Sequence, residues 1–301
     1  MPRPLTPNFG NSYEVTYRYQ FEKYRYGCKT TCPSCQRRKA FKKYVDVTTG
    51  EYVGDDIGMC DRKKKCGYHK SPKELKTSHV PVSKVAVKYR EPDVYNHIPT
   101  EYVLKSLSRG KDNFSKALIA RFPSKNVAEV LGMYYIGISQ KWENSTIFWQ
   151  IDQDFVVRTG KIMQYNGLSR VKEPYSRVCW SHTPDKGFPD FYLKQCLFGQ
   201  HLVGSQPIGI VESEKTAIIC RIFRPRITWL ATGGLQNISP HRFEFLDGRE
   251  DVTFYPDKGC EGEWKQKVKK INPKWVISEA LVNNEQVEEG EDPADLILKM
   301  K

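Results

Sequence analysis

Five cysteines fall within residues 28 to 66 of the 301-residue chain, and four more are scattered singly after them. Cys32 and Cys35 form a Cys-Pro-x-Cys knuckle, in which a tight turn aims two thiolates at one point, and Cys60 with Cys66 supplies a second pair. Four thiolates close a tetrahedral zinc shell and leave no open position, so such a zinc would be structural. The five residues between Cys60 and Cys66 exceed the usual spacing of about two to four, which leaves Cys28 and His69 as alternative ligands. An odd total of nine cysteines, clustered in this way, suits a metal site in a reducing compartment better than a disulfide framework.

A second constellation lies in PIGIVESEKTAIICRIF, residues 207–223, where a short apolar run ends in Glu212 ahead of a helix-forming stretch. The same rhythm of strand, loop and helix repeats in ITWLAT with GGLQNISPHRFEFL, in DVTFYPD with GCEGEWKQKVKKI, and ends with KWVISEAL. Short apolar runs alternating with helices predict a parallel sheet covered on both faces, with functional groups gathered at the carboxyl ends of its strands. Glu212 ends the first strand, Gly233 and Gly234 follow the second, and Asp257 ends the third. A single such acid is expected to cap its helix. Two on one sheet edge suit a hard divalent cation, magnesium with several waters retained, which orients phosphates and offsets charge in phosphoryl transfer.

The elements that must carry these groups follow from composition and pattern. Apolar residues make up 39% of the chain, enough for two or three folded units. Of the net charge of +13, residues 1–98 hold +10, from 20 Lys/Arg against 10 Asp/Glu, which directs a polyanion to this third of the chain. Between the cysteine pairs, KAFKKYVDV and GEYVGDD alternate like two strands about the turn TTG, a zinc-ribbon pattern with too few apolar residues to fold without metal. Around it stand Arg37, Arg38, Lys39, Lys42, Lys43, Arg62, Lys63, Lys64 and Lys65, interleaved with Phe41, Tyr44 and Tyr52. These suit the phosphates and unpaired bases of single-stranded nucleic acid, although Phe41 and Tyr44 equally suit the ribbon's small core.

Residues 71–98, with Pro72, Pro81 and Pro92, read as an extended linker or basic arm. Helical spacing follows, with Phe114, Leu118 and Phe122 on one face and Val127, Val130 and Leu131 continuing it after a Pro-Ser break. STIFWQIDQDFVVRTGKIMQYN then predicts a strand pair around DQD, from which Arg158, Lys161, Arg170 and Lys172 project. Isolated cations of this kind serve solubility by default. No segment approaches the roughly 20 apolar residues of a membrane span, and MPRPLTPNFGNS lacks the apolar core of a signal peptide, so a soluble, cytoplasmic protein without membrane contact is expected.

Taken in order, Glu212, the TGG after the next strand, YPD after the third and GEDPADLI near the end resemble the TOPRIM domain of DnaG-type primases and topoisomerases. YYIGISQKW, TIFWQIDQDFVVRTGKI, KEPYSRV and DFYLKQCLFGQHLV resemble the amino-terminal part of the same primase core, and the cysteine region resembles the primase zinc ribbon. The likeness covers residues 28–301 and extends to short primase-like proteins of bacterial mobile elements. It implies an α+β multidomain fold: a zinc β-ribbon with a basic amino-terminal arm over 1–70, the linker over 71–98, a mixed α/β primase-core subdomain over 99–205, and a TOPRIM α/β domain with a mostly parallel central sheet over 206–301.

The resemblance also implies roles. Glu212 would be the general acid/base or a metal ligand, and Asp257 the first acid of an Asp-x-Asp magnesium motif. The second acid of that motif falls on Gly259, with Asp292 or Asp295 available in principle to compensate. Single-stranded DNA would be bound by Arg37, Arg38, Lys39, Lys42, Lys43, Arg158 and Lys161. Nucleotides and a replicative helicase would be the other partners, with zinc and magnesium as cofactors. A primer-synthesising nucleotidyltransferase, a DNA-binding replication or transfer factor with a degenerate site, and a TOPRIM nuclease all remain open at this level.

Overall fold

The computed structural model describes residues 14–22, 29–62, 65–72, 84–87, 95–183, 187–188 and 191–300, with the backbone alone for 14–17 and 84–87. The chain divides into two compact units, Met1–Asp93 and Val94–Lys301.

In the first unit, strands β1 (Glu14–Tyr17) to β6 (Lys84–Val87) make two antiparallel sheets. One joins β1 to β6, so part of the stretch expected to be a linker is a paired strand. The other has the order β2-β3-β4-β5, from β2 (Tyr19–Phe21), β3 (Phe41–Asp46), β4 (Gly58–Cys60) and β5 (His69–Lys70). The expected turn at Thr48–Gly50 forms, because the Asp46 carboxylate accepts from the backbone N–H and hydroxyl of Thr48. Its second arm departs from expectation. GEYVGDD makes only a single bridge, Val45 to Tyr52, and β3 finds its regular partners in β2 and β4.

The second unit opens with three helices, α1 (Thr100–Ser106), α2 (Asn113–Ile119) and α3 (Ser124–Met133). As the helical spacing predicts, Phe114, Leu118, Phe122, Val127, Val130 and Leu131 are all buried. An antiparallel sheet of order β12-β9-β8-β7 follows, from β7 (Gly137–Ser139), β8 (Ser145–Ile151), β9 (Val157–Met163) and β12 (Val178–Trp180). A small hairpin of β10 (Tyr165–Asn166) and β11 (Ser169–Arg170) projects from it. Every residue of β8 is buried because both faces are covered. Phe148 packs with Phe114, whereas Ile147, Trp149 and Ile151 pack with Ile98 and Val103.

Four strands then form a wholly parallel sheet of order β14-β13-β15-β16: β13 (Ile208–Val211), β14 (Thr228–Ala231), β15 (Val252–Phe254) and β16 (Val276–Ile277). Helices α4 (Glu214–Phe223) and α6 (Pro293–Lys299) share one core with Val211, Trp229 and Ala231, while Trp264 and Val268 of α5 (Glu261–Val268) pack with Ile210, Leu230 and Phe254. Where the rhythm predicts a helix over GGLQNISPHRFEFL, the chain makes three short 3-10 turns. Pro240 lacks an N–H and holds Ser239 extended, so a continuous helix is broken at its centre. No helix among the described residues is long and apolar enough to cross a membrane.

The stretches 99–205 and 206–301 pack through a common core in which Phe114, Tyr134 and Phe198 join Val211, Ile218 and Trp229. Phe198 exchanges backbone hydrogen bonds with Ala231, and the buried Tyr134 hydroxyl donates to the Trp229 carbonyl at 2.7 Å. Removing that donor leaves a buried carbonyl short of a partner. Tyr134→Phe is expected to cost about 1–3 kcal/mol, read as a lower urea midpoint with an unchanged slope.

Candidate metal centres and cleft

The four sulfurs of Cys32, Cys35, Cys60 and Cys66 lie within 4.8 Å of one another. Cys32 to Cys66 is 3.8 Å and Cys35 to Cys60 is 3.9 Å. A zinc–sulfur bond of about 2.3 Å in a tetrahedron gives sulfur–sulfur edges of roughly 3.8 Å, so the donor set fits zinc in type, number and spacing. The first knuckle is closed by the Gln36 N–H donating to the Cys32 carbonyl and the Cys32 N–H to that of Arg37. In the second, the Arg62 carbonyl accepts from the N–H groups of Lys65, Cys66 and Gly67, which folds the long spacer back and returns Cys66 to the cluster. The Arg37 N–H, with the neighbouring sulfurs, holds Cys35 down at about 6, and burial pushes Cys60 up to about 12. His69 is not a member of the cluster: it is exposed and its Nε2 lies 3.0 Å from the Tyr44 hydroxyl. Cys28 falls outside the described residues.

The cations and aromatics of the ribbon separate into distinct groups. Arg37, Arg38 and Lys39 are exposed beside the first knuckle. Lys42 lies over the Phe21 ring at 5.5 Å. Lys43 departs from the expected free cation, being paired with Asp55 at 2.7 Å and laid over Tyr52 at 5.0 Å. Phe41 is wholly buried against Cys32 and Cys60, so it is core and does not stack on a ligand. Tyr44 is half-buried and stacks on Phe21 at 4.1 Å.

In the second unit, the carboxyl ends of the parallel strands meet the antiparallel sheet and its hairpin at a cleft of about 560 Å³. Glu212, the residue after β13, and Asp257, three residues after β15, line it together with Asp292. Facing them are Lys161 from β9, Arg170 from β11 and Lys172. Burial, followed by the Asp292 and Glu212 charges, pushes Asp257 up to about 7, and its buried Oδ1 has no hydrogen-bond partner among the described residues. Burial also raises Glu212, against the pull of the Lys161 ammonium. Both features fit a cation whose charge replaces the lost solvation. Among the described residues, however, only the cysteine cluster brings three or more potential ligands within 4.8 Å. Glu212 and Asp257 therefore suit an ion that keeps several waters rather than a closed cage.

The remaining acids are committed to the scaffold. Asp292 caps α6, forms a capping box with Asp295, and accepts from the Thr216 hydroxyl at 2.6 Å. Lys215 pairs with Asp292 at 3.5 Å and Asp295 at 3.2 Å, which ties α4 to α6. Asp292 still borders the cleft, whereas Asp295 does not. Gly259 has a left-handed φ of +89°, which a side chain rarely adopts, and a Cβ there would displace only the carboxylate tip of the exposed Glu289. Lys258 donates to the carbonyls of Asn284 and Val287.

Two cations expected to act together are separated. Arg158 pairs with the buried Asp152 at 2.6 Å in a different depression, so it is a structural partner and does not reach the cleft. Lys161 lines the cleft and contacts both oxygens of Glu214 at 3.1 Å. Sequence reasoning overlooked Glu214, Lys215, Tyr165 and the inward role of Lys161. A signal was present for the last of these, because Lys161 is two residues from Met163 on a strand, and both line the same cleft.

Chelation of zinc is expected to open residues 29–72 to protease while 94–301 stays resistant, and Cys60→Ser is expected to do the same, because the ribbon lacks a metal-independent core. A pH dependence also follows for Asp257. Its folded value, about 7 against an ordinary 3.8, means that its stability contribution is intact below about 3.8 and is lost as the pH rises towards 7. In magnesium-free buffer, Asp257→Asn is therefore expected to raise the urea midpoint at about pH 8 and to raise it less at about pH 5.

Residues 112–258 match the family described as "Domain of unknown function (DUF6371)", and residues 17–80 match a family of zinc beta-ribbon fingers. No curated protein matches the chain. Among solved structures, the chain is similar to the primase fragment of the bacteriophage T7 primase-helicase protein, at 15% identity and a TM-score of 0.42, with 90% of this chain and 94% of that one covered. It is also similar to the RNA polymerase domain of Mycobacterium tuberculosis primase DnaG, at 12% identity and a TM-score of 0.43 over 66% of this chain and 77% of that one. A third likeness is to the zinc-binding and RNA polymerase domains of the Aquifex aeolicus primase, at 12% identity and a TM-score of 0.38 over 93% and 77%. The chain thus joins a zinc β-ribbon over residues 17–80 to a DUF6371 match over residues 112–258, and it is similar to DnaG-type primases.

Proposed function

We propose that this chain is a TOPRIM-type, primase-like protein that binds single-stranded DNA through its ribbon and joins nucleotides at the cleft of Glu212 and Asp257. The observation that carries this reading is the opposition of two walls: carboxylates from the ends of parallel strands on one side, and Lys161, Arg170 and Lys172 on the other. Phosphates carrying a divalent cation are complementary to both walls at once, whereas a free cation or a free anion matches only one.

Glu212 and Asp257 would hold the magnesium ion, which when bound would orient phosphates and neutralise charge as a primer's 3'-hydroxyl attacks the α-phosphate of a nucleoside triphosphate, the α–β phosphoanhydride bond breaks and pyrophosphate leaves. Glu212, half-buried and raised by burial, is suited to accept the hydroxyl proton on its carboxylate. Lys161, Arg170 and Lys172 bind phosphate oxygens. On the ribbon, the exposed Arg37, Arg38 and Lys39 take backbone phosphates, with Lys42 beside them. The T7 relative carries its primase with a helicase, and a replicative helicase in the cytoplasm is the protein partner that this reading assigns.

A second reading, a DNA-binding replication or transfer factor without turnover, is favoured by one feature, the glycine at position 259 in place of the second acid. Incorporation of labelled nucleotide on single-stranded DNA with magnesium separates the two. Wild type is expected to extend primers. Glu212→Gln and Asp257→Asn are expected to lose extension while retaining DNA binding, and neutralising Arg37, Arg38 and Lys39 together is expected to weaken binding. DNA binding without incorporation selects the second reading, and absence of both overturns the proposal.

A further inference from the structure

The turn between β8 and β9, residues 194–200 and the 3-10 turns after β14 line a second depression of about 290 Å³, which shares no lining residue with the cleft. Its cations are of two kinds. Arg158 is matched by the buried Asp152 at 2.6 Å. Arg242 and Lys194 have no carboxylate partner among the described residues: Arg242 donates from Nη2 to Gln195 Oε1 at 2.6 Å, and Lys194 lies over the Tyr95 ring at 5.9 Å.

Arg242 is the less comfortable of the two. Its side chain is half-buried, and its buried Nη1 has no acceptor among the described residues. Burial disfavours the charged guanidinium, yet this group keeps its proton at any ordinary pH, so the cost cannot be relieved by titration. A counter-charge seated in the depression would relieve it. The bond to Gln195 meanwhile holds the planar fork in one orientation before any ligand arrives.

The rest of the lining limits what that counter-charge can be. Asp154 and Glu244 also line the depression, and both are exposed. A nucleic-acid strand, charged at every nucleotide, would bring further phosphates against these two acids. A compact anion avoids them, and any hydroxyl or amino groups it carries can donate to them. Two cations without partners suit a dianion, and a phosphomonoester carries about −1.5 to −2 at pH 7 where a carboxylate carries a single charge.

We propose that this depression binds a small phosphomonoester, with the phosphate on Arg242 and Lys194 and the hydroxyl or amino groups of the ligand towards Asp154 and Glu244. The site is separate from the cleft of Glu212 and Asp257, and the two stand or fall independently.

Calorimetric titration and thermal unfolding of the full zinc-loaded chain, with ribose 5-phosphate and with inorganic phosphate in magnesium-free buffer, test it. Wild type is expected to bind one ribose 5-phosphate, more tightly than inorganic phosphate, and to unfold at a higher temperature in its presence. Arg242→Gln is expected to weaken this binding by about ten- to a hundredfold, the worth of a charge-assisted hydrogen bond. Arg242→Lys, which keeps the charge and loses the fork, is expected to weaken it less. Because Arg242 also bonds Gln195, Lys194→Gln supplies a second variant on an exposed side chain, with an expected loss of about three- to tenfold. Arg170→Gln/Lys172→Gln removes two cations of the cleft and is expected to leave the affinity unchanged. Three results overturn the proposal: no binding of ribose 5-phosphate by wild type, unchanged affinity in both Arg242→Gln and Lys194→Gln, or a loss confined to Arg170→Gln/Lys172→Gln, which would place the phosphate in the cleft.

Discussion

Crowding of negative charge at one end of a parallel sheet is the constraint to which the second unit is built. Glu212, Glu214, Asp257 and Asp292 all border one cleft, and removal from water alone raises the cost of each charge. The fold offsets this unevenly. Glu214 is matched by Lys161, and Asp292 by Lys215 and the amino terminus of α6, so these two acids are stabilised in place. Glu212 feels the Lys161 ammonium and Asp257 that of Lys215, but among the described residues neither acid has an ion pair of its own. Among the described residues, one Asp257 oxygen has no donor, so burial costs this group most.

This division explains the placement of several residues remote from chemistry in sequence. Thr216 and Lys215 join α4 to the capping box of α6, which keeps Asp292 at the cleft while saturating it. Lys258 holds the 284–291 loop against the turn that carries Asp257. The exposed Glu289 carboxylate lies where a Cβ at position 259 would fall and would have to move aside. A single substitution at Gly259 would have to overcome a left-handed backbone.

The ribbon solves a different problem with the same economy of parts. Among the described residues its core is Phe41, Ala40, Ile57 and the cysteines with Tyr68 packed against them, and the sulfur cluster supplies the cross-links that a larger apolar core would otherwise provide. Part of its positive charge is consumed internally, as Lys43 with Asp55 and Arg18 with Asp46 show. The triplet Arg37, Arg38 and Lys39 remains at the surface. Net charge therefore overstates the surface open to a polyanion.

Local patterns in the sequence determined the cysteine cluster, the helical face from Phe114 to Leu131, the strand pair around DQD and the parallel strands with acids at their ends. Each depends on spacing or periodicity within a few residues, which the chain carries explicitly. Tertiary structure alone decided the rest. Cys66, not His69, joined the cluster because the Arg62 carbonyl folds the spacer back, and GGLQNISPHRFEFL lost its helix where Pro240 left no donor. Arg158 and Lys161, three residues apart and alike in type, parted company because one meets Asp152 and the other Glu214. No local signal distinguishes them, since each partner is brought in by strand pairing or by packing between sheets, and burial then makes that choice of partner decide whether a charge is structural or open to a ligand.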